Sequence, residues 1–350
     1  MGKKTGLICL AIGMLFLVGA AFSKWYAYPR LALAVIDRDT TDTPAVARGD
    51  DATYLNLHQS PPQIVTGGEL ESVRKVVGQV DDSEQASEEQ GQKIAVYKTL
   101  SYTDVPGYNK ATDGPPLNAT LDRIAFDRNT AEQVDCCDTW TQFSGKKTKL
   151  TFKGLYLKFP FDIQKKEYTF WDTTLKTATP IVFEGEREIQ GLTVYKFVQE
   201  IPPTDVDMET TGKQHLEVPG YLVGEPNQPT VQADRIYSNT RTIWAEPETG
   251  AIIDAQEDQL STLDVKGVEK ATITDVTLKY TDDTVSFNVN EWQDEAFQLK
   301  LLRVWLPMYG GIVGIVLLAL GVFFVVRGAR KRDQQVDDDD RDHQEPMVTA

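Results

Sequence analysis

Hydrophobic residues gather at the two ends of the chain and recur at strand-like spacing between them. Gly6 to Phe22 and Met308 to Val326 carry no charged side chain. Each approaches the roughly 20 apolar residues that a helix needs to cross a hydrocarbon core. They predict membrane helices over residues 6–26 and 305–326, with residues 27–304 on one side of the bilayer. Trp25, Tyr26, Tyr28, Trp305 and Tyr309 stand at the edges of the runs that face this segment, where amphipathic rings favour the headgroup zone. Lys3 and Lys4 precede the first run, and Arg327, Arg330, Lys331 and Arg332 follow the second. Such flanks stay cytoplasmic, so the expectation is a plasma-membrane protein with both termini inside and 27–304 outside. Lys24 and Arg30 pull the other way. A cleaved signal peptide is the alternative for the first run, since Val18-Gly19-Ala20 and Gly19-Ala20-Ala21 supply small-residue cleavage patterns.

The middle segment predicts a mainly β (α+β) domain built on a curved antiparallel sheet. Asp37–Asp51 is polar and turn-rich, a stalk. Strands are expected in ATYLNLHQ, SVRKVVGQV and KIAVYKTLSY, which place β-branched and aromatic residues between polar breaks. Asp81–Gln92 is acidic and poor in large apolar groups, so it reads as an exposed loop or hairpin tip. Asp104–Pro116 reads as a loop from its Pro and Gly content. From Gly154, Leu155, Leu157, Phe159, Phe161 and Ile163 alternate with Tyr156, Lys158, Pro160 and Asp162, the period of a strand with one apolar face. A sub-boundary is expected near 145–153. TPIVFEGEREIQGLTVYKFVQEIP reads as a strand pair, and Pro247–Gly250 as a turn between two more. ATITDVTLKY and TVSFNV read as a last hairpin about Thr281-Asp282-Asp283. A helix is expected only from Asn290, running toward Trp305. Gly310 and Gly314 would permit close helix contact. The tail, 327–350, is acidic and expected to be disordered.

Charge narrows the partners. The chain has 36 basic and 52 acidic residues, a net charge of −16. That balance, without a basic stripe, argues against nucleic acid. Cys9 lies in the first apolar run, while Cys136 and Cys137 are adjacent in the middle segment and read as a vicinal disulfide. Metal is not expected, because zinc needs further Cys or His ligands and the segment offers only His58 and His215. Asn118-Ala119-Thr120 fits the glycosylation sequon. No catalytic motif occurs, no cofactor site is read, and the expectation is a protein that is not an enzyme.

The chemistry on offer is apolar. Leu157, Phe159, Phe161, Tyr168, Phe170, Phe183, Tyr195, Phe197 and Trp244 could fill a core, or face a lipid held in the concave side of the sheet.

The strings Gly154-Leu155, Lys158 to Phe161, Lys165 to Tyr168, Trp171-Asp172, Phe183 to Gly185 and Gly191 to Tyr195 resemble those of an actinobacterial family of two-anchor membrane proteins, porin PorA. RTIWAEPETGAIIDAQ is similar to a hairpin of LolA- and LppX-type lipid carriers. The resemblance implies a LolA/LppX-like sheet and, through members tied to lipomannan maturation, binding of a lipid or lipid-linked glycan in cell-envelope (lipoglycan) assembly, with catalysis left to partner envelope enzymes. It brings no catalytic residues and no role for the cysteine pair. A scaffold that organises envelope enzymes is the alternative function. A pore-forming barrel fits less well, since barrels close with lipid-facing strands rather than spanning helices, and an extracellular enzyme, which would need a polar cleft where His58 or His215 meets a carboxylate, is also less favoured.

Overall fold

A computed structural model describes residues 3–143, 145–206 and 215–342. In chain order the elements are α1 (Lys3–Phe22), α2 (Tyr28–Leu31), β1 (Ala45–Asn56), β2 (Gln63–Gly78), α3 (Val80–Gln90), β3 (Ile94–Asp104), α4 (Lys110–Asp113), β4 (Asn118–Asp127), β5 (Trp140–Phe143) and β6 (Lys146–Lys149). There follow β7 (Tyr168–Asp172), β8 (Thr177–Ile189), β9 (Leu192–Asp205), β10 (Leu216–Pro219), β11 (Thr230–Ala245), β12 (Ile252–Val265), β13 (Val268–Tyr280), α5 (Asp282–Lys300) and α6 (Leu306–Asp342). The chain divides into two units, one of residues 1–32 with 297–350, the other Leu33–Ala296.

In the first unit α1 and α6 are long and apolar enough to cross a membrane, which fits membrane association. They pack along each other through small residues. A Cβ on Gly314 would lie 2.8 Å from Leu17 Cγ and 3.0 Å from the Gly13 carbonyl oxygen, and one on Gly6 would lie 2.8 Å from that of Gly321. Only hydrogen side chains allow backbones this close. Leu15 and Ile315 are 70 % and 63 % exposed, apolar surface that suits lipid rather than water. The Ser23 hydroxyl donates to the Leu302 carbonyl at 2.6 Å, joining short π-helical turns at Ser23–Ala27 and Leu301–Trp305. The expected disordered tail is corrected as far as Asp342, to which α6 continues. Extending a formed helix needs no new nucleus. The remainder of that tail, 343–350, falls outside the described residues.

The second unit is one antiparallel sheet. Its order is β6-β5-β4-β3-β2-β1-β13-β12-β11-β9-β8-β7, with β10 beside β11. Two meanders thus meet where β1 pairs β13. Between them residues 150–167 cross from the β6 edge to the β7 edge, and both arms of the sheet close on this crossing segment. Phe152 and Tyr156 pack with Tyr97, Ile124 and Phe126 from one arm. Leu155 and Phe159 pack with Ile181, Phe197 and Ile243 from the other.

The period-two strand expected from Gly154 is therefore corrected. Leu155 and Tyr156 are neighbours, yet both are buried, at 0 % and 2 % exposure. A strand with one wet face cannot do that; a segment enclosed by a sheet can. Beyond one bridge to Phe170, its backbone partners are loops. Phe159 N–H donates to the Gly250 carbonyl and Ile163 N–H to that of Pro247, each at 2.8 Å. The Pro247–Gly250 turn is as expected, and it serves as the clasp on the crossing segment. Inside it the buried Glu246 carboxylate accepts from Glu248 N–H, Thr249 N–H and the Thr249 hydroxyl. Gly250 has φ +75°, and a Cβ there would lie 2.0 Å from the Phe159 carbonyl oxygen. Gly191, at φ +84°, has nothing within 4 Å. Gly191→Ala should cost about 1 kcal/mol and Gly250→Ala about 2 kcal/mol, read as the two drops in thermal midpoint of the detergent-solubilised chain. Equal drops would show that the clasp tolerates a methyl group.

Three further expectations are corrected. Val80–Gln90 is a helix, α3, not an acidic loop. It buries only Ser83 and Ala86, residues too small to register as an apolar stripe, and it ends at Gly91 with φ +64°. TVSFNV is the start of α5, not a return strand. Thr281 caps it by accepting from Thr284 N–H at 3.2 Å, and Val285, Val289, Ala296 and Leu299 are its buried apolar residues, a helical spacing. The stalk is shorter than expected, since β1 begins at Ala45. Before it, Arg38 makes a two-pronged contact with Glu291 at 2.5 and 2.9 Å.

Candidate functional site

Two cavities open within the Leu33–Ala296 unit. The first, about 150 Å³, is mainly apolar. Val76 of β2, Phe126 of β4 and Ile252 of β12 supply sheet residues, Leu157 the crossing segment, and Phe287 and Trp292 the helix α5. The second, about 140 Å³, is lined by hydroxyls and amides such as Ser72, Ser101, Thr120 and Gln256. Arg74, Ile252 and Tyr280 line both.

The polar cavity rests on a buried ion network. Arg241 of β11 donates to Glu257 at 2.8 Å and to Asp172 at 3.1 Å, and contacts the Gln199 amide oxygen. Asp172, 0 % exposed, also accepts from the N–H groups of Thr174 and Leu175. Gln199 donates to the Phe170 carbonyl and the Thr179 hydroxyl, both at 2.7 Å. Burial pushes the Glu257 pKa up, but Arg241, Gln259 and Arg74 outweigh it and hold the carboxyl at about 2. Nearby, the Tyr156 hydroxyl donates to Asp122 at 2.7 Å.

The apolar cavity holds one cation of a different kind. Lys158 Nζ is buried and has no hydrogen-bond partner among the described residues. It lies 3.5 Å from the centre of the Phe161 ring, a favourable contact that uses no donor. Burial drives its pKa down to about 7, against the pull of Glu295 and Glu246. Arg74 Nε donates to the Ser101 hydroxyl at 3.0 Å and pairs with no carboxylate among the described residues. Tyr97, pushed up to about 12 by burial, donates its hydroxyl to the Val35 carbonyl.

The nine apolar candidates do not gather in one place. Phe159, Tyr168, Phe170, Phe183, Tyr195 and Phe197 pack ring on ring, with centroids 4.5 Å apart for Phe159 and Phe197 and 5.5 to 5.9 Å for the other pairs. Leu157 lines the apolar cavity and Phe170 the polar one. Trp244 stands apart under Arg187, 4.1 Å from its ring centre, and Phe161 under Lys158. A disulfide joins Cys136 and Cys137, and the pair packs against Ala86 of α3, with Ile94, Val96 and Ala125. Both histidines of the Leu33–Ala296 unit meet carboxylates, His58 with Asp104 at 2.9 Å and His215 with Asp234 at 2.5 Å. Neither lines a cavity. Asp104, 1 % exposed, also accepts from the N–H groups of Val105 and Leu117, so His58 closes a loop clamp. Sequence reasoning missed Arg241, Glu257 and Lys158, each a charge on an otherwise ordinary strand or loop.

The family model described as Porin PorA matches residues 5–323. The chain belongs to the porin PorA family. That match takes in both apolar helices, the crossing segment and the clasp. A Porin PorA from Corynebacterium amycolatum is 32 % identical over 167 residues, 41 % of this chain and 43 % of that protein. A Porin PorA from Corynebacterium resistens is 24 % identical over 280 residues, 61 % and 68 % of the two chains. The match therefore spans less than half of the first relative and about two thirds of the second.

Proposed function

We propose that the Leu33–Ala296 unit lies outside the plasma membrane, with both termini cytoplasmic, and there takes up a lipid or lipid-linked glycan. In this reading it assists cell-envelope, lipoglycan assembly by presenting lipid to envelope enzymes, and is not itself an enzyme. The observation that carries the reading is the apolar cavity of about 150 Å³ in a unit whose chain runs at each end into an apolar helix. Concave apolar sites with a few polar groups are the usual form of small-molecule sites. The adjoining hydroxyl-lined cavity suits a polar headgroup or sugar.

The relatives' name points instead to a pore. A membrane-spanning barrel closes its sheet on itself, whereas this sheet follows an open path from β6 to β7. That favours binding over conduction. Native mass spectrometry of the full chain, released from polymer-bounded membrane discs, should show lipid-mass adducts that persist after bulk lipid is stripped and vanish on denaturation. A clean protein mass with no uptake of added phospholipid or glycolipid, or stepwise conductance of the purified chain in planar bilayers, would overturn the reading.

A further inference from the structure

Lys158 poses a question that the fold does not answer by itself. An ammonium withdrawn from water is costly unless it is paired, and surrounding structure has ample means to pair it. Glu246 spends its carboxylate on the clasp, and Glu291 spends its own on Arg38. Glu295 pulls on Lys158 from α5 but forms no hydrogen bond with it among the described residues. Phe161 covers one side of the amine. Its donors are left without an acceptor among the described residues, in a cavity that Arg74, whose charge also steadies the Glu257 carboxylate, lines as well. Arg38, already held by Glu291, lines it too, with Thr40, Thr43 and Asn288, and the other walls are mainly hydrocarbon and aromatic. A buried ammonium with no hydrogen-bond partner among the described residues, in a mainly apolar pocket, matches an amphiphile with an anionic head.

We infer that Lys158, supported by Arg74, receives the single anionic headgroup of a lipid, a carboxylate or a phosphate, whose chain lies against Leu157, Ile252, Phe287 and Trp292. The inference rests on the lipid-binding reading and specifies the class of lipid. A cavity of this size compares with one that takes a benzene ring, so it holds the head and the first carbons of a chain rather than a whole diacyl lipid. Charge-assisted hydrogen bonds are about twice as strong as neutral ones, so an anion gains more here than a sugar hydroxyl or an ester.

The test uses the purified full chain in non-ionic detergent and the quenching of tryptophan fluorescence by three probes brominated at mid-chain: stearate, its methyl ester, and a stearoyl lysophosphatidate. The wild type should bind stearate more tightly than the ester by at least about tenfold, the equivalent of one charge-assisted hydrogen bond. Lys158→Met should abolish that preference while keeping the wild-type affinity for the ester, which also reports that the variant is folded. Lys158→Arg should retain the preference. The tighter of stearate and lysophosphatidate tells whether a fatty-acid carboxylate or a lipid phosphate is the better fit. Equal binding of acid and ester by the wild type, or an unchanged preference in Lys158→Met, overturns the inference and leaves lipid binding standing. Failure of all three probes to bind overturns both.

Discussion

Arg241→Met is expected to destabilise the sheet unit by about 3–5 kcal/mol, the usual consequence of removing one partner from a buried ion pair. The size follows from what is left behind. Asp172 is fully buried, and its two backbone donors do not neutralise it. Glu257 loses the cation that holds its pKa near 2, and Gln199 loses the donor to its amide oxygen. In a domain of this size the thermal midpoint should fall on the order of 10 °C, read by near-ultraviolet circular dichroism. Glu257 also sets an acid limit. Its folded pKa lies below the ordinary 4.5, so its contribution is complete above pH 4.5 and is lost as pH falls toward about 2. A variant melting within 2 °C of wild type would show that the network is dispensable.

Lys158→Met is expected to act in the opposite direction, stabilising the unit by about 2–4 kcal/mol at pH 7. Burial lowers the amine from 10.5 to about 7. Below pH 7 both folded and unfolded chains carry the proton, and folding bears the whole cost of burying it. As pH rises from about 7 to 10.5 the folded chain has already released its proton while the unfolded chain still holds it, so the cost fades. The groups that moderate it are Glu295, itself beside the Arg38–Glu291 pair, and Glu246. Thermal melts of both proteins from pH 6 to 9 should show the widest gap at the acid end, narrowing upward. A gap that is absent, or that widens with pH, would mean the amine reaches water.

The sequence disclosed its apolar helices and most strands because both rest on large side chains at regular spacing. Ser72–Gly78 and Ile94–Tyr102 read as strands and are strands. The helix α3 was illegible because its buried face is Ser83 and Ala86, invisible to any scale of hydrophobicity. In α5, Thr284 to Val289 alternates by chance at period two; only the longer series Val285, Val289, Ala296 and Leu299 reveals the helix. The crossing segment misled for a deeper reason. Alternation reports one wet and one dry face, and a segment enclosed between two sheet arms has no wet face to report. The candidate site suffered most. Lys158 sits in a string that reads as an ordinary strand position, and nothing local says that its amine ends among aromatic rings. Likewise Arg241 and Glu257 meet only through the register of β11 on β12, and Asp172 reaches them from β7, far away in sequence.

The pairing of β1 with β13 has a consequence for synthesis. A chain made from its N-terminus completes β1 through β6 while β1 still offers an unpaired edge, and its partner is among the last strands to appear. Unpaired edges recruit other chains, and contacts so distant in sequence form slowly. The crossing segment must also wait for the β11–β12 turn that clasps it. Chains cut short before Val268 are therefore expected to aggregate rather than to form a smaller stable domain.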